Sequence, residues 1–117
     1  MEKQLAKELI DFIHESPTNF HAVANVKKEL TAHGFIQLFS GEAWQLHKGG
    51  KYFVTKNHSS LFAFEIGDGD IADGLKFICA HSDSPTFRVK PNAEMPVAGK
   101  YLKLNTEVYG GPIMYTW

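Results

Sequence analysis

Apolar residues repeat at helical spacing only within the first 33 positions; from residue 35 onward they cluster or alternate as strands do. Leu5, Leu9, Ile10, Phe12 and Ile13 recur three and four apart, and Lys3, Lys7, Glu8 and Asp11 fall mostly elsewhere, which predicts an amphipathic helix over 3–15. Ser16-Pro17-Thr18 ends it, because a residue before proline is pushed out of helical backbone angles. Thr18 is placed as the N-cap of a second helix running to about His33, with Phe20, Val23, Val26 and Leu30 as its buried stripe. Gly34 follows as the C-terminal cap, where a left-handed conformation is cheap.

The strands begin with the short apolar run 35–38. Gly49-Gly50 is a turn, and Lys51 to Lys56 and Leu61 to Ile66 read as a β-hairpin closed by Asn57-His58-Ser59-Ser60. An acidic loop covers 67–74. Leu75-Lys76-Phe77-Ile78-Cys79-Ala80 is apolar enough to be a central strand covered on both faces. Further strands are expected over 86–90 and 101–109, separated by a loop carrying Pro91, Pro96 and Gly99. No helix is readable after Leu75 to cover the second face of such a sheet, and the chain stops among Ile113, Met114 and Trp117. The expectation is the front of a layered α/β domain whose later helices are missing, with a self-contained α+β domain as the alternative.

Composition narrows the function. At 117 residues a chain can bury roughly two-thirds of its unfolded surface, so a core is possible. Twelve Lys and Arg against thirteen Asp and Glu leave no electrostatic footprint for nucleic acid, and no polybasic block points to a membrane. One cysteine, Cys79, excludes an internal disulfide and fits a reducing compartment, where it would be inert core. No run approaches the ~18 apolar residues of a membrane span, and the first residues lack a secretory apolar segment. A cytoplasmic protein is expected.

His81-Ser82-Asp83-Ser84-Pro85 follows the apolar run directly. Residues two apart in extended chain share a side, so His81 and Asp83 can converge at a strand's carboxyl end, where α/β sheets place their sites. A neutral imidazole ligates zinc through one nitrogen while a carboxylate accepts from the other. The competing reading is a turn in which Asp83 or Ser84 caps backbone donors. His14 and His33 sit near helix ends, His21 beside Phe20 on the second helix, and His47 and His58 in loops. None stands at ligand spacing from a second donor. The run from Asp68 to Gly74 imitates a calcium loop, but Ala72 replaces a ligand and Cys79 occupies the bidentate glutamate position. Gly49-Gly50-Lys51 lacks the first glycine of a phosphate loop.

Taken in order, several segments resemble the N-terminal part of the aspartyl aminopeptidase family of zinc metallopeptidases. They are Ser16-Pro17-Thr18 with His21-Ala22-Val23, Gly34-Phe35, Trp44-x-Leu46, Gly49 to Thr55, Asn57 with Ser59-Ser60, Ala80 to Pro85, Val89 to Asn92, and Leu104 to Ile113. The likeness covers essentially the whole chain. It implies an α/β/α sandwich zinc-peptidase domain, of which residues 1–117 form the N-terminal part, two helices followed by a mainly β segment. The chain would end near the point where the family's dimerisation domain is inserted. It further implies two zinc ions, peptide substrates with N-terminal Asp or Glu, and a homo-oligomer, a dodecamer in the family. His81 maps to a metal ligand and Asp83 to the residue that orients it. The remaining ligands and the general base of the family lie beyond the Tyr109-Gly110-Gly111-Pro112 segment, so the chain alone is expected to be inactive, and Glu107 maps to a structural strand position. Two rival readings are a non-catalytic assembly module and an unrelated small α+β binding domain.

Overall fold

Helix α1 (Glu2–Glu15) and helix α2 (Asn19–Ala32) form where the apolar periodicity placed them. The structure, a computed structural model, describes residues 2–70, 72, 74–111 and 115; Asp73, Ile113, Met114 and Trp117 lie outside the described residues. The chain divides into two compact units, Met1–Asp83 and Ser84–Trp117.

In the first unit, Thr18 caps α2 in extended conformation (φ −135°, ψ 161°), its hydroxyl accepting from the His21 backbone N–H. At the other end Gly34 is left-handed (φ +81°). The N–H of Phe35 donates to Leu30 O at 2.9 Å and that of Gly34 to Thr31 O at 3.1 Å, the paired bonds of a Schellman cap. Asn25 Nδ2 reaches back to donate to Glu15 O and Ser16 Oγ, both at 3.0 Å. It thereby satisfies a carbonyl at the end of α1 that its own helix leaves open. On α1, Lys7 donates to Asp11 at 2.7 Å, and that hydrogen bond holds its ammonium above its ordinary pKa. The pair supports the helix up to alkaline pH and is lost as Lys7 deprotonates.

The stripe that α2 buries is shifted from the expected one. Ala22 and Val23 are buried, Asn19, Val26 and Leu30 are half-buried, and Phe20 is 56% exposed. Positions 19, 22, 23, 26 and 30 lie on one helical face, and Phe20 stands one residue to its side.

Strands β1 (Ile36–Leu38), β2 (Lys51–Lys56) and β3 (Ser60–Glu65) form one sheet in the order β1-β2-β3. β1 runs parallel to β2, and β2 pairs antiparallel with β3 from Lys51↔Glu65 to Lys56↔Ser60. Asn57 (φ 52°) and His58 (φ 55°) are both left-handed in the connecting turn, as primed hairpin turns require. Tyr52 and Phe53 are both buried, although successive strand residues face opposite ways. One face meets α2, which contacts β3. Over the other lie the Tyr52, Phe64 and Trp44 rings, 5.6 Å and 6.3 Å apart in successive pairs. The Trp44 indole donates to Phe39 O at 2.9 Å and the His47 N–H donates to the Tyr52 hydroxyl at 3.0 Å, which fixes the 39–50 loop. A Cβ at Gly50 would run into the Tyr52 ring, so the glycine is required by close approach.

Two expectations fail. Residues 74–80 form no strand: Leu75, Phe77 and Ile78 are exposed, and so is Cys79, expected as inert core. A strand exists only through its ladder, and no described strand lies alongside this run. The loop expected around Pro91 and Pro96 is instead part of a strand. In the second unit β4 (Thr86–Val97) pairs antiparallel with β5 (Tyr101–Tyr109), with the register shifting between Val89 and Glu94. Asn92 turns left-handed (φ 57°) at this bulge. A two-stranded ribbon is all edge, which is where strands tolerate proline. Phe87, Val89, Leu102, Leu104 and Val108 fall on one face of the ribbon and are exposed. On the other, the Arg88 guanidinium lies 3.5 Å over the Tyr109 ring.

Unfolding midpoints followed by circular dichroism should rank three variants. Phe53→Ala removes the most buried side chain and should cost about 3–5 kcal/mol. Gly50→Ala should cost about 1–3 kcal/mol through overpacking against Tyr52. Thr18→Ala should cost about 1 kcal/mol through the lost cap. A Thr18→Ala cost equal to that of Phe53→Ala would show that the core is elsewhere.

Candidate metal-ligand turn

The segment that carries His81 leaves the sheet after β3 and has no ladder of its own. His81 and Asp83 nevertheless converge. His81 Nδ1 lies 2.7 Å from Asp83 O and 3.1 Å from Asp83 Oδ1. The expected convergence thus arises from a local turn that folds the ring onto its own chain two residues on, rather than from the pleat of a strand.

The partners decide the tautomer. A carbonyl and a carboxylate only accept, so Nδ1 must carry the proton and donate to both. In the neutral ring Nε2 then keeps its lone pair. The His81 side chain is 78% exposed and that of Asp83 40%, and Nε2 has no part in either contact with Asp83. A carboxylate that fixes the ring of a histidine in this tautomer is the kind of partner that metal-ligating histidines have. The donor set therefore fits one position of a zinc site. It does not fit a whole one, since among the described residues no group of three or more His, Cys, Asp or Glu could hold a metal ion.

The other candidates fall into structural roles. His21 Nδ1 lies 2.8 Å from the Thr18 hydroxyl at the N-cap. His33 is the C-cap of α2, its Nδ1 donating to Glu29 O at 2.9 Å. His14 is in the last turn of α1, and His58 is in the hairpin turn. In the acidic loop, Asp70 Oδ1 accepts from the Ala72 N–H at 3.0 Å, a local turn contact. Glu107 stands on β5 opposite Arg88, a strand position as expected. A groove of about 360 Å³ beside the hairpin, lined by Trp44, Val54, Leu61 and Phe62 among others, offers no carboxylate or imidazole.

One contact had no signal in the sequence. The Ser82 hydroxyl donates to Ser59 O at 3.1 Å, across 23 residues. Serine beside a His-x-Asp pair is too common to suggest a tether, and its partner is a backbone carbonyl, which no residue type reveals.

The chain is similar to known proteins over nearly all of its length. The chain is 56% identical over 115 residues to the probable M18 family aminopeptidase 2 of Clostridium novyi, covering 97% of this chain and 27% of that protein. It superposes on a chain of the Ape4–Nbr1 complex with TM-score 0.87 at 41% identity, covering 98% of this chain and 22% of that one. On the S. cerevisiae mApe1 dodecamer the TM-score is 0.80 at 32% identity, covering 94% and 26%. The chain thus spans about a quarter of the length of these relatives. Two helices followed by strands is accordingly the N-terminal part of their α/β architecture. With residues 12–117 matching the family's pattern, the chain belongs to the M18 peptidases, the aminopeptidase I zinc metalloproteases.

Proposed function

We propose that residues 1–117 are the N-terminal part of the catalytic domain of a zinc aminopeptidase, ending near the insertion of a dimerisation domain, and that they contribute one metal ligand. The observation that carries this reading is the His81 ring, which is largely exposed and whose Nδ1 is committed to two acceptors of Asp83, leaving Nε2 out of those contacts. His81 would hold zinc through Nε2. Asp83 would keep the ring in that tautomer and orientation, and would offset the charge drawn from the imidazole. Zinc, when bound, would polarise the scissile carbonyl and supply a nucleophilic water near neutral pH.

The complete polypeptide would remove N-terminal residues, preferably Asp or Glu, from peptides, using two zinc ions held by ligands from its remainder. It would work in the cytoplasm as a homo-oligomer, for which the dodecameric state of yeast mApe1 is the support. The chain by itself would be inactive, because one histidine cannot complete a tetrahedral site. A second reading, a non-catalytic assembly module, is favoured by the exposed apolar faces of α1 and of the β4–β5 ribbon.

The readings separate by assay. The complete polypeptide should hydrolyse a Glu- or Asp-led peptide, and His81→Ala should bring the rate to background with loss of zinc. Asp83→Asn, which keeps the shape but weakens the acceptor, should lower metal affinity about 10–100-fold. The 117-residue chain assayed alone should show no turnover. Hydrolysis by that chain, abolished by His81→Ala, would overturn the claim that its site is partial. Full activity of the complete His81→Ala polypeptide would remove His81 from the metal site.

A further inference from the structure

We propose that Ser82 is a positioning residue for His81: its hydroxyl, bonded to Ser59 O, moors the His-x-Asp turn to the tip of the β2–β3 hairpin. The inference rests on the reading of His81 as a metal ligand.

Two different things must be fixed for a ligand to meet an ion. One is the ring's orientation on its own turn, which the Asp83 acceptors set from within the same three residues. The other is the place of that turn relative to the rest of the domain, and contacts inside the turn cannot set it. The run leading to His81 has no ladder, and its described residues from 74 to 81 are exposed. Exposure falls at Ser82 and Asp83, which are both half-buried. There the Ser82 hydroxyl donates to Ser59 O at 3.1 Å.

The mooring point is itself rigid. The Ser59 N–H donates to Lys56 O at 3.2 Å, closing the turn around left-handed Asn57 and His58. Ser60 Oγ donates to the same Lys56 carbonyl at 3.2 Å, so the hairpin tip is bonded twice. Ser82 therefore joins the turn to a point whose position the sheet determines. Without its hydroxyl the Asp83 contacts would survive, but the half-buried Ser59 carbonyl would lose a donor and the turn would be free to shift. An ion held in part by groups elsewhere in the protein would then lose its alignment with Nε2.

The test uses the complete zinc-loaded polypeptide and follows zinc transfer to a chromophoric chelator. Ser82→Ala should release zinc on the order of tenfold faster than wild type, the lower end of what supporting contacts to metal ligands are worth. Ser82→Thr keeps the hydroxyl and should restore the wild-type rate, a rescue that loss of packing alone would not give. Unfolding midpoints of the metal-free forms should be alike for the two variants. If Ser82→Ala matches wild type while His81→Ala is empty of zinc, the mooring role fails and the ligand reading stands. Equal acceleration in Ser82→Thr and Ser82→Ala would also overturn it. If His81→Ala retains zinc with wild-type kinetics, the ligand reading fails and this inference falls with it.

Discussion

Neighbouring residues of a strand face opposite ways, so burial of both Tyr52 and Phe53 means that β2 is covered from two sides at once. The order of the first unit follows from that requirement. β2 must be central, with β1 and β3 beside it. A helix must lie over one face, and α2 presents Ala22 and Val23. The opposite face needs rings and a loop held close, which Trp44, Phe64 and the glycine at position 50 provide. Elements that do not reach this centre bury little: no residue of α1 is buried, and its Leu5, Leu9, Ile10 and Ile13 stay exposed.

The candidate ligand sits at the margin of this centre. What readies His81 is a local arrangement in which the chain's own carbonyl and carboxylate consume one ring nitrogen and leave the other basic. Such an arrangement asks little of the fold around it, which is why it persists in a segment without regular structure. Its alignment with anything beyond itself is a separate matter, and it falls to the hairpin.

Local signals were readable and long-range ones were not. Both helices, the Thr18 cap, the Gly34 cap and the β2–β3 hairpin depend on residues within a turn or two of each other, and all appear where the residue types put them. Phe20 was misplaced because a stripe can be drawn through either of two adjacent positions until the facing surface is known. Leu75 to Ala80 have the composition of a strand, yet a strand also needs a neighbour, and composition carries no information about one. Pro91 and Pro96 argued for a loop, but the tolerance of an edge ribbon for proline depends on how many strands flank it. At the site, the pairing of His81 with Asp83 was legible from their spacing, whereas the Ser82 contact to a main-chain carbonyl was not.

The two prolines in β4 leave the ribbon's outer edges unlike each other. Strand addition needs a continuous row of N–H and C=O groups, and β4 lacks an N–H at positions 91 and 96 and carries a bulge between Val89 and Glu94. β5, from Tyr101 to Tyr109, contains no proline. A ribbon with an apolar face would otherwise be an invitation to stack edge to edge in either direction. Here the β4 strand is interrupted by its prolines and its bulge and β5 is not, so the two strands are unequal templates for a further strand.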